Sequence, residues 1–201
     1  MDILGAIVGI TIFSPILLFT SIYIKLVSPN GPVLADIKNR VGKDGEEFRM
    51  YKFRSMIPNA QQWLESQPEL YKQYQENSYK LDPDPRLIKG AELMRKLSID
   101  EMPQFFNILK GDMSIVGPRA YYPFELREQA ERFPDSEPYI EQALTTKPGL
   151  TGPWQISGRS EIGFVDRVKM DADYANRHSF LYDILVILKT PLVVITGKGA
   201  L

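Results

Sequence analysis

Apolar residues run unbroken by any charge from Ile3 to Ile24, a stretch rich in Ile, Leu, Val and Phe, and only from Lys25 onward does the chain mix apolar and charged positions. About 22 residues of helix rise roughly 33 Å, enough to cross a hydrocarbon core of roughly 30 Å. Ser14-Pro15 lies at the centre of this stretch, and Pro15 cannot donate to the carbonyl of Thr11. The two arms on either side reach only about mid-bilayer each. Two topologies fit: a kinked helix that spans, which base rates favour, and a bent helix that returns both ends to one face. Lys25, Lys38, Arg40 and Lys43 follow the stretch and predict a cytoplasmic position for the rest of the chain under either. A cleaved signal peptide is not expected, because no basic region precedes the apolar run.

Beyond it, Val33 to Ile37 and Phe48 to Phe53 flank Gly42-Lys43-Asp44-Gly45 and predict a hairpin with a longer loop. Asn59 to Leu81 is polar and helix-forming, divided by Pro68. Helical spacing continues over Ala91 to Leu97, Glu101 to Leu109, Pro123 to Phe133, Glu137 to Leu144 and Gly163 to Asn176. Phe180 to Thr196 is apolar but carries Asp183, Lys189 and Pro191, which suits a helix on a bilayer interface or over the core better than a second span. The pattern predicts an α+β, mainly helical fold, with residues 1–26 as a membrane helix and 27–201 as one cytoplasmic domain.

Composition narrows the chemistry. With 24 Lys and Arg against 25 Asp and Glu, the formal net charge is −1, which gives no case for nucleic-acid binding. No cysteine is present, so disulfides, thiol catalysis and Cys-ligated metals are excluded. The lone His178 has no catalytic neighbour in sequence and reads as a surface or packing residue. Asp171 and Asp173 read as a solvated helical face and not as metal ligands. Gly5 and Gly9 form a small-xxx-small pair that would permit a helix-mediated homodimer.

Two adjacent carboxylates, Asp100 and Glu101, stand at a helix start, with Gly117-Pro118-Arg119 nearby in sequence. An acidic pair beside an arginine on a tight turn is the equipment for attacking and stabilising a phosphate ester. The same residues also make sense as helix capping: Ser98 and Glu101 have capping-box spacing, but Pro103 then falls beyond the first turn, and a start at Asp100 places it safely. Catalysis and capping stay level on these residues alone. Lys52 and Arg54 alternate onto one strand face, as diphosphate contacts or as a charged strand edge. Lys147-Pro148-Gly149-Leu150-Thr151-Gly152 and Ser157-Gly158-Arg159 form a basic, glycine-rich region whose backbone N–H groups suit an anion.

Taken in order, the Ser14-Pro15 helix breaker, Tyr51-Lys52-Phe53-Arg54-Ser55-Met56, Ser98-Ile99-Asp100-Glu101-Met102-Pro103-Gln104, Asn107 to Ser114, Gly117-Pro118-Arg119, Lys147 to Gly152 and Ser157-Gly158-Arg159 resemble the bacterial sugar transferases, the monotopic phosphoglycosyl transferases. The resemblance covers nearly the whole chain. It implies a re-entrant helix broken at Ser14 and Pro15, and an enzyme that moves a sugar-1-phosphate from a UDP-sugar to undecaprenyl phosphate and releases UMP. It further implies that Asp100 is the nucleophile and that the domain lies on the cytoplasmic face of the bacterial inner membrane. Mg²⁺ is the expected cofactor, assigned to Asp100 and Glu101. Arg119 is the expected phosphate clamp beside Pro118, with Lys52, Arg54, Lys147 and Arg159 as further substrate contacts. The chain departs from the family at Ala120, where a second proline is usual, and at Gly152-Pro153-Trp154-Gln155-Ile156, where Gly-x-Ala-Gln-Val is typical. Two other readings remain: a membrane-anchored module without catalysis, and a metal-dependent glycosyltransferase that releases UDP.

Overall fold

A computed structural model describes residues 1–35, 39–76 and 81–196. Its helices are α1 (Asp2–Val27), α2 (Ala60–Glu65), α3 (Pro68–Glu76), α4 (Ala91–Lys96), α5 (Phe105–Lys110), α6 (Pro123–Arg132), α7 (Glu137–Ala143), α8 (Pro153–Ser157), α9 (Phe164–Arg177) and α10 (Phe180–Thr196). The short strands are β1 (Arg40–Val41), β2 (Glu47–Phe48), β3 (Ser114–Val116) and β4 (Gly149–Thr151). The fold is α+β and mainly helical, as the periodicity predicts.

Helix α1 is long and apolar enough to cross a membrane. It is not broken at Ser14-Pro15: Pro15 sits inside one continuous helix. The carbonyl of Thr11 that Pro15 leaves without a donor receives the Ser14 hydroxyl at 2.9 Å, so the side chain supplies the bond the backbone lacks.

Both ends of α1 dock on the same domain. At the start, Asp2 Oδ1 accepts from the Ser114 hydroxyl at 2.9 Å and the Ile115 N–H at 3.2 Å, and Ala6 is buried with Ile108, Met113 and Ala120. At the end, Ile24 is buried with Phe53, Ile88, Ala91 and Met94, and the Tyr23 hydroxyl donates to the Lys89 carbonyl at 3.0 Å. Gly5 and Gly9 have a different use from the one expected. A Cβ on Gly5 would collide with the Ile115 side chain, and one on Gly9 with the Phe105 ring. These glycines seat α1 on its own domain, so the small-residue pair leaves no face for a second copy. The opposite side of α1 exposes Leu4, Leu18, Phe19 and Leu26, and α10 exposes Phe180, Leu181, Leu188, Leu192 and Ile195. Apolar surface on that scale marks an interaction face.

The predicted hairpin forms in two patches. Strands β1 and β2 pair antiparallel, Arg40 with Phe48 and Val41 with Glu47, and an isolated bridge joins Leu34 to Phe53. Ile37 and Lys38 lie outside the described residues, as does the end of the Asn59 to Leu81 segment near 77–80. The parallel pairing of β3 with β4, Ser114 opposite Gly149 and Val116 opposite Thr151, has no counterpart in the sequence reading. Strands of three residues are too short to show an alternation of apolar and polar positions.

This pairing revises the role of the glycine-rich region. A Cβ on Gly117 would meet the backbone of 147–149, and one on Gly149 would meet Gly117. The Gly117 N–H donates to Thr151 O and the Gly149 N–H to Pro118 O, both at 2.9 Å. These N–H groups hold two chain segments together and are not free for an anion.

Candidate active site

The site is assembled by a proline. Ile99–Gln104 forms a 3₁₀ turn ahead of α5, with Pro103 inside it. Pro103 has no N–H to give to the Asp100 carbonyl three residues back. That carbonyl instead accepts the Phe53 N–H at 2.8 Å. The bond lashes the segment carrying Lys52 to the turn carrying Asp100. Asn107 fixes the register from the other side, accepting from the Tyr51 N–H at 2.8 Å and donating to the Arg49 carbonyl at 2.7 Å.

Lys52 Nζ consequently lies 2.9 Å from Asp100 Oδ2 and 3.3 Å from Glu101 Oε1. The Asp100 side chain is buried, with the Lys52 ammonium as the neighbour of Oδ2. Burial raises the Asp100 carboxyl above the ordinary aspartate range, with Lys52 acting against that and Glu101 adding to it. For Glu101 the balance falls the other way: burial opposes its charge, but Lys52, Arg119 and Arg159 outweigh it and hold the carboxyl low. Two neighbouring carboxylates thus occupy environments that push them apart, a pattern of functional sites.

Ser98 precedes the turn with φ 53, in the left-handed region, and makes no capping bond. The capping reading fails for Ser98, whose hydroxyl accepts from Arg159 Nη2 at 2.9 Å. Asp100 does not cap either, since the turn has already begun at Ile99. Arg159 Nη1 and Arg119 Nε are both buried without a hydrogen-bond partner. Arg119 and Arg159 line the same cavity as Lys52, Asp100 and Glu101. Sequence motifs far apart in the chain therefore meet here.

Of the other expected contacts, Arg54 borders the cavity but spends its donors elsewhere, and Pro118 and Lys147 do not border it. The Arg54 guanidinium is buried against the end of α1, donating to the Pro32, Ser28 and Met56 carbonyls and to the Ser28 hydroxyl. Strand alternation misleads at this point because, among the described residues, Phe53 bridges Leu34 without a named strand around it, and Lys52 and Arg54 find different partners. Pro118 is buried in the β3–β4 junction, where its carbonyl accepts the Gly149 N–H. Lys147 is exposed beside Gly111 and does not line the cavity.

Residues the sequence reading passed over complete the cavity. Arg40 and Arg167 line it, each with a buried Nε lacking a partner. Asp171 is fully buried, not solvated: its Oδ2 accepts from the Arg119 N–H at 3.2 Å and the Tyr121 hydroxyl at 2.9 Å. Burial pushes its carboxyl up to about 7, against the pull of those bonds and of Arg119 and Arg167. The bonding partners of Asp171 lie some fifty positions away, and no local pattern announces them. Asp173 behaves as expected, pairing with Arg177 one helical turn on. His178 is exposed and leans on Tyr174.

Chemically, a buried carboxylate beside an ammonium, in a cavity lined by arginines, is arranged to meet an anionic ester. Among the described residues no group of three or more His, Cys, Asp or Glu side chains is placed to hold a metal. Asp100 and Glu101 are the two carboxylates that meet at Lys52, and a pair of that kind suits Mg²⁺ only when substrate phosphates and water supply the other ligands.

Residues 1–197 match the family model for bacterial sugar transferase. The galactosyl transferase CpsE of Streptococcus agalactiae serotype III (strain NEM316) is 41% identical over 201 residues, covering 100% of this chain and 42% of the relative. The UDP-N-acetylgalactosamine-undecaprenyl-phosphate N-acetylgalactosaminephosphotransferase of Aeromonas hydrophila is 39% identical over 203 residues, covering 100% of this chain and 44% of its own. The exopolysaccharide production protein ExoY of Sinorhizobium fredii (strain NBRC 101917 / NGR234) is 36% identical over 203 residues, covering 99% and 85%. The chain thus spans less than half the length of the first two relatives and most of the third.

Proposed function

The chain belongs to the bacterial sugar transferase family, and on that premise we propose that it transfers a sugar-1-phosphate from a UDP-sugar to undecaprenyl phosphate, releasing UMP. The observation that carries the reading is Asp100, buried at the wall of a cavity that Arg119 and Arg159 also line, with Lys52 at 2.9 Å. The name of the Aeromonas relative supports the substrate pair. The sugar stays open, since the relatives' names carry both galactose and N-acetylgalactosamine.

In the first step an Asp100 carboxylate oxygen attacks the sugar-bearing phosphorus, and the bond to the bridging oxygen breaks with its electron pair leaving on UMP. In the second, a phosphate oxygen of undecaprenyl phosphate attacks the same phosphorus. The Asp100–phosphorus bond breaks, and the carboxylate returns with undecaprenyl-diphospho-sugar as product. Neither step has a net proton requirement. Anion meets anion in both, so the barrier is largely electrostatic, and Lys52, Arg119 and Arg159 serve to neutralise phosphate oxygens. Asp100 and Glu101 would hold Mg²⁺ jointly with the donor diphosphate, and the ion would add to that neutralisation.

Membrane placement follows from the second substrate, whose phosphate sits at the bilayer surface. A re-entrant α1, bent about Ser14 and Pro15 with the domain on the cytoplasmic face of the inner membrane, fits a helix docked to its own domain at both ends. A simple span would carry Asp2 to the far side, away from Ser114.

The test is incubation of the chain and its Asp100→Asn variant with Mg²⁺, undecaprenyl phosphate and a panel of UDP-sugars, measuring UMP and UDP separately. UMP that requires both Asp100 and the lipid phosphate is the expected result. UDP would mean plain glycosyl transfer, and neither nucleotide would leave a non-catalytic membrane module.

A further inference from the structure

The transfer chemistry leaves part of the cavity unused. Trp154 Nε1 and Gln155 Oε1, neighbours on α8, are both buried without a hydrogen-bond partner, and both residues line the cavity. Buried polar groups are ordinarily paired, so two adjacent orphans ask for a ligand. The Gln155 amide nitrogen is already committed, donating to the Leu150 carbonyl at 2.9 Å, so the free end is the oxygen, an acceptor. The Trp154 indole N–H can only donate. Two guanidiniums stand against its ring, Arg119 with Cζ 5.0 Å and Arg167 with Cζ 5.5 Å from the centroid, each with a buried Nε–H lacking a partner. Arg119 also connects this wall to the reaction centre, because its charge acts on Glu101.

The unpaired set is an indole donor, a carbonyl acceptor and a guanidinium donor. Uracil presents the complement along one edge: O4 accepts, N3–H donates, O2 accepts. Cytosine presents a donor and two acceptors and would set its N3 lone pair against the Gln155 oxygen. A sugar hydroxyl both donates and accepts and makes no such demand. We propose that Trp154 and Gln155, with Arg167, form a nucleobase subsite that selects uracil nucleotides. This deepens the donor assignment above and rests on it. It also gives a use to Trp154, which stands at one of the positions where the chain departs from the family pattern.

The test is equilibrium binding of UMP, CMP and inorganic pyrophosphate to the unaltered chain and to Gln155→Met and Trp154→Phe. A site built to hydrogen-bond a base strongly rejects an analogue that leaves buried groups unpaired. The unaltered chain is therefore expected to bind UMP about tenfold or more tighter than CMP. Gln155→Met should lose about tenfold for UMP and bring the two nucleotides near parity. Trp154→Phe, which keeps an aromatic ring, should weaken UMP several-fold; pyrophosphate, which reads the cations alone, should bind all three proteins alike. Equal UMP and CMP binding by the unaltered chain, or a uracil preference that survives both substitutions, overturns the subsite while leaving Asp100-dependent UMP release standing. Failure of UMP to bind together with absence of UMP release would overturn the donor assignment itself.

Discussion

Replacing Lys52 by Met tests whether the ammonium tunes the nucleophile or only touches substrate. Met keeps most of the side-chain volume and removes the charge, leaving Asp100 buried beside Glu101 with no cation at 2.9 Å. At an effective dielectric of about 20, opposite charges at that distance attract by about 6 kcal/mol, an upper figure. A cation within a few ångströms ordinarily lowers a carboxyl by about 1–3 pH units, each worth about 1.36 kcal/mol. The sign is fixed by the chemistry. Asp100 reacts as the carboxylate, burial already raises its pKa, and losing Lys52 raises it further. The acid limb of kcat/KM for UMP release should therefore move to higher pH. Below that limb the variant should lose roughly a hundredfold, and part of the loss should return as pH rises. The assay is the pH profile of UMP release alongside the amount of covalent phosphosugar-enzyme trapped without lipid acceptor. A uniform loss at every pH, with the limb unmoved, would refute the tuning argument and leave Lys52 as a phosphate contact only.

Two further perturbations read other parts of the fold. Asp171 titrates near 7 when folded and near 3.8 when unfolded, so the folded state holds the proton more tightly. Its contribution to stability is present below about pH 4 and is lost as pH rises to about 7, on the order of 4 kcal/mol. Asp171→Asn cannot ionise and should flatten the fall in Tm between pH 5 and pH 8; parallel melting curves for the two proteins would count against this. Pro15→Leu restores the backbone donor for Thr11 and should favour a straight span. In this cysteine-free chain, a cysteine placed beside Met1 should then lose cytoplasmic-side labelling and gain labelling from the opposite side, with activity lost. Unchanged labelling would remove Pro15 from the topology argument.

The helices were legible where periodicity was long enough to speak. Phe180 to Thr196 coincides with α10, and Pro68 separates α2 from α3 as its missing N–H requires. Lys52, Asp100, Arg119 and Arg159 were each readable as candidates, because charged residues amid turn signals and apolar runs stand out locally. What could not be read is whatever depends on a partner distant in sequence. Arg54 and Lys52 look alike on paper, yet one serves α1 and the other Asp100. Asp171 looks like any carboxylate on an amphipathic helix until Tyr121 and the Arg119 N–H arrive across some fifty positions. Trp154 stands out in the sequence only as a departure from a pattern that Gln155 keeps, since an unpaired buried atom exists only once the fold has closed around it.

Proline links the two halves of this molecule by the same physical device. In each case a missing N–H frees a carbonyl, and what satisfies that carbonyl decides the local architecture. At Pro15 the donor is the Ser14 hydroxyl, which is local, so α1 stays one helix with a weakened backbone ladder at its centre. At Pro103 the donor is the Phe53 N–H, which comes from about fifty positions earlier, so the freed carbonyl of Asp100 becomes a tie between segments. The second arrangement brings the ammonium of Lys52 to the carboxyl of Asp100 without either side chain having to find the other. A substitution at Pro103 that restored the N–H would offer Asp100 O a competing donor within its own turn. The nucleophile would remain in the sequence while the contact that sets its ionisation came apart.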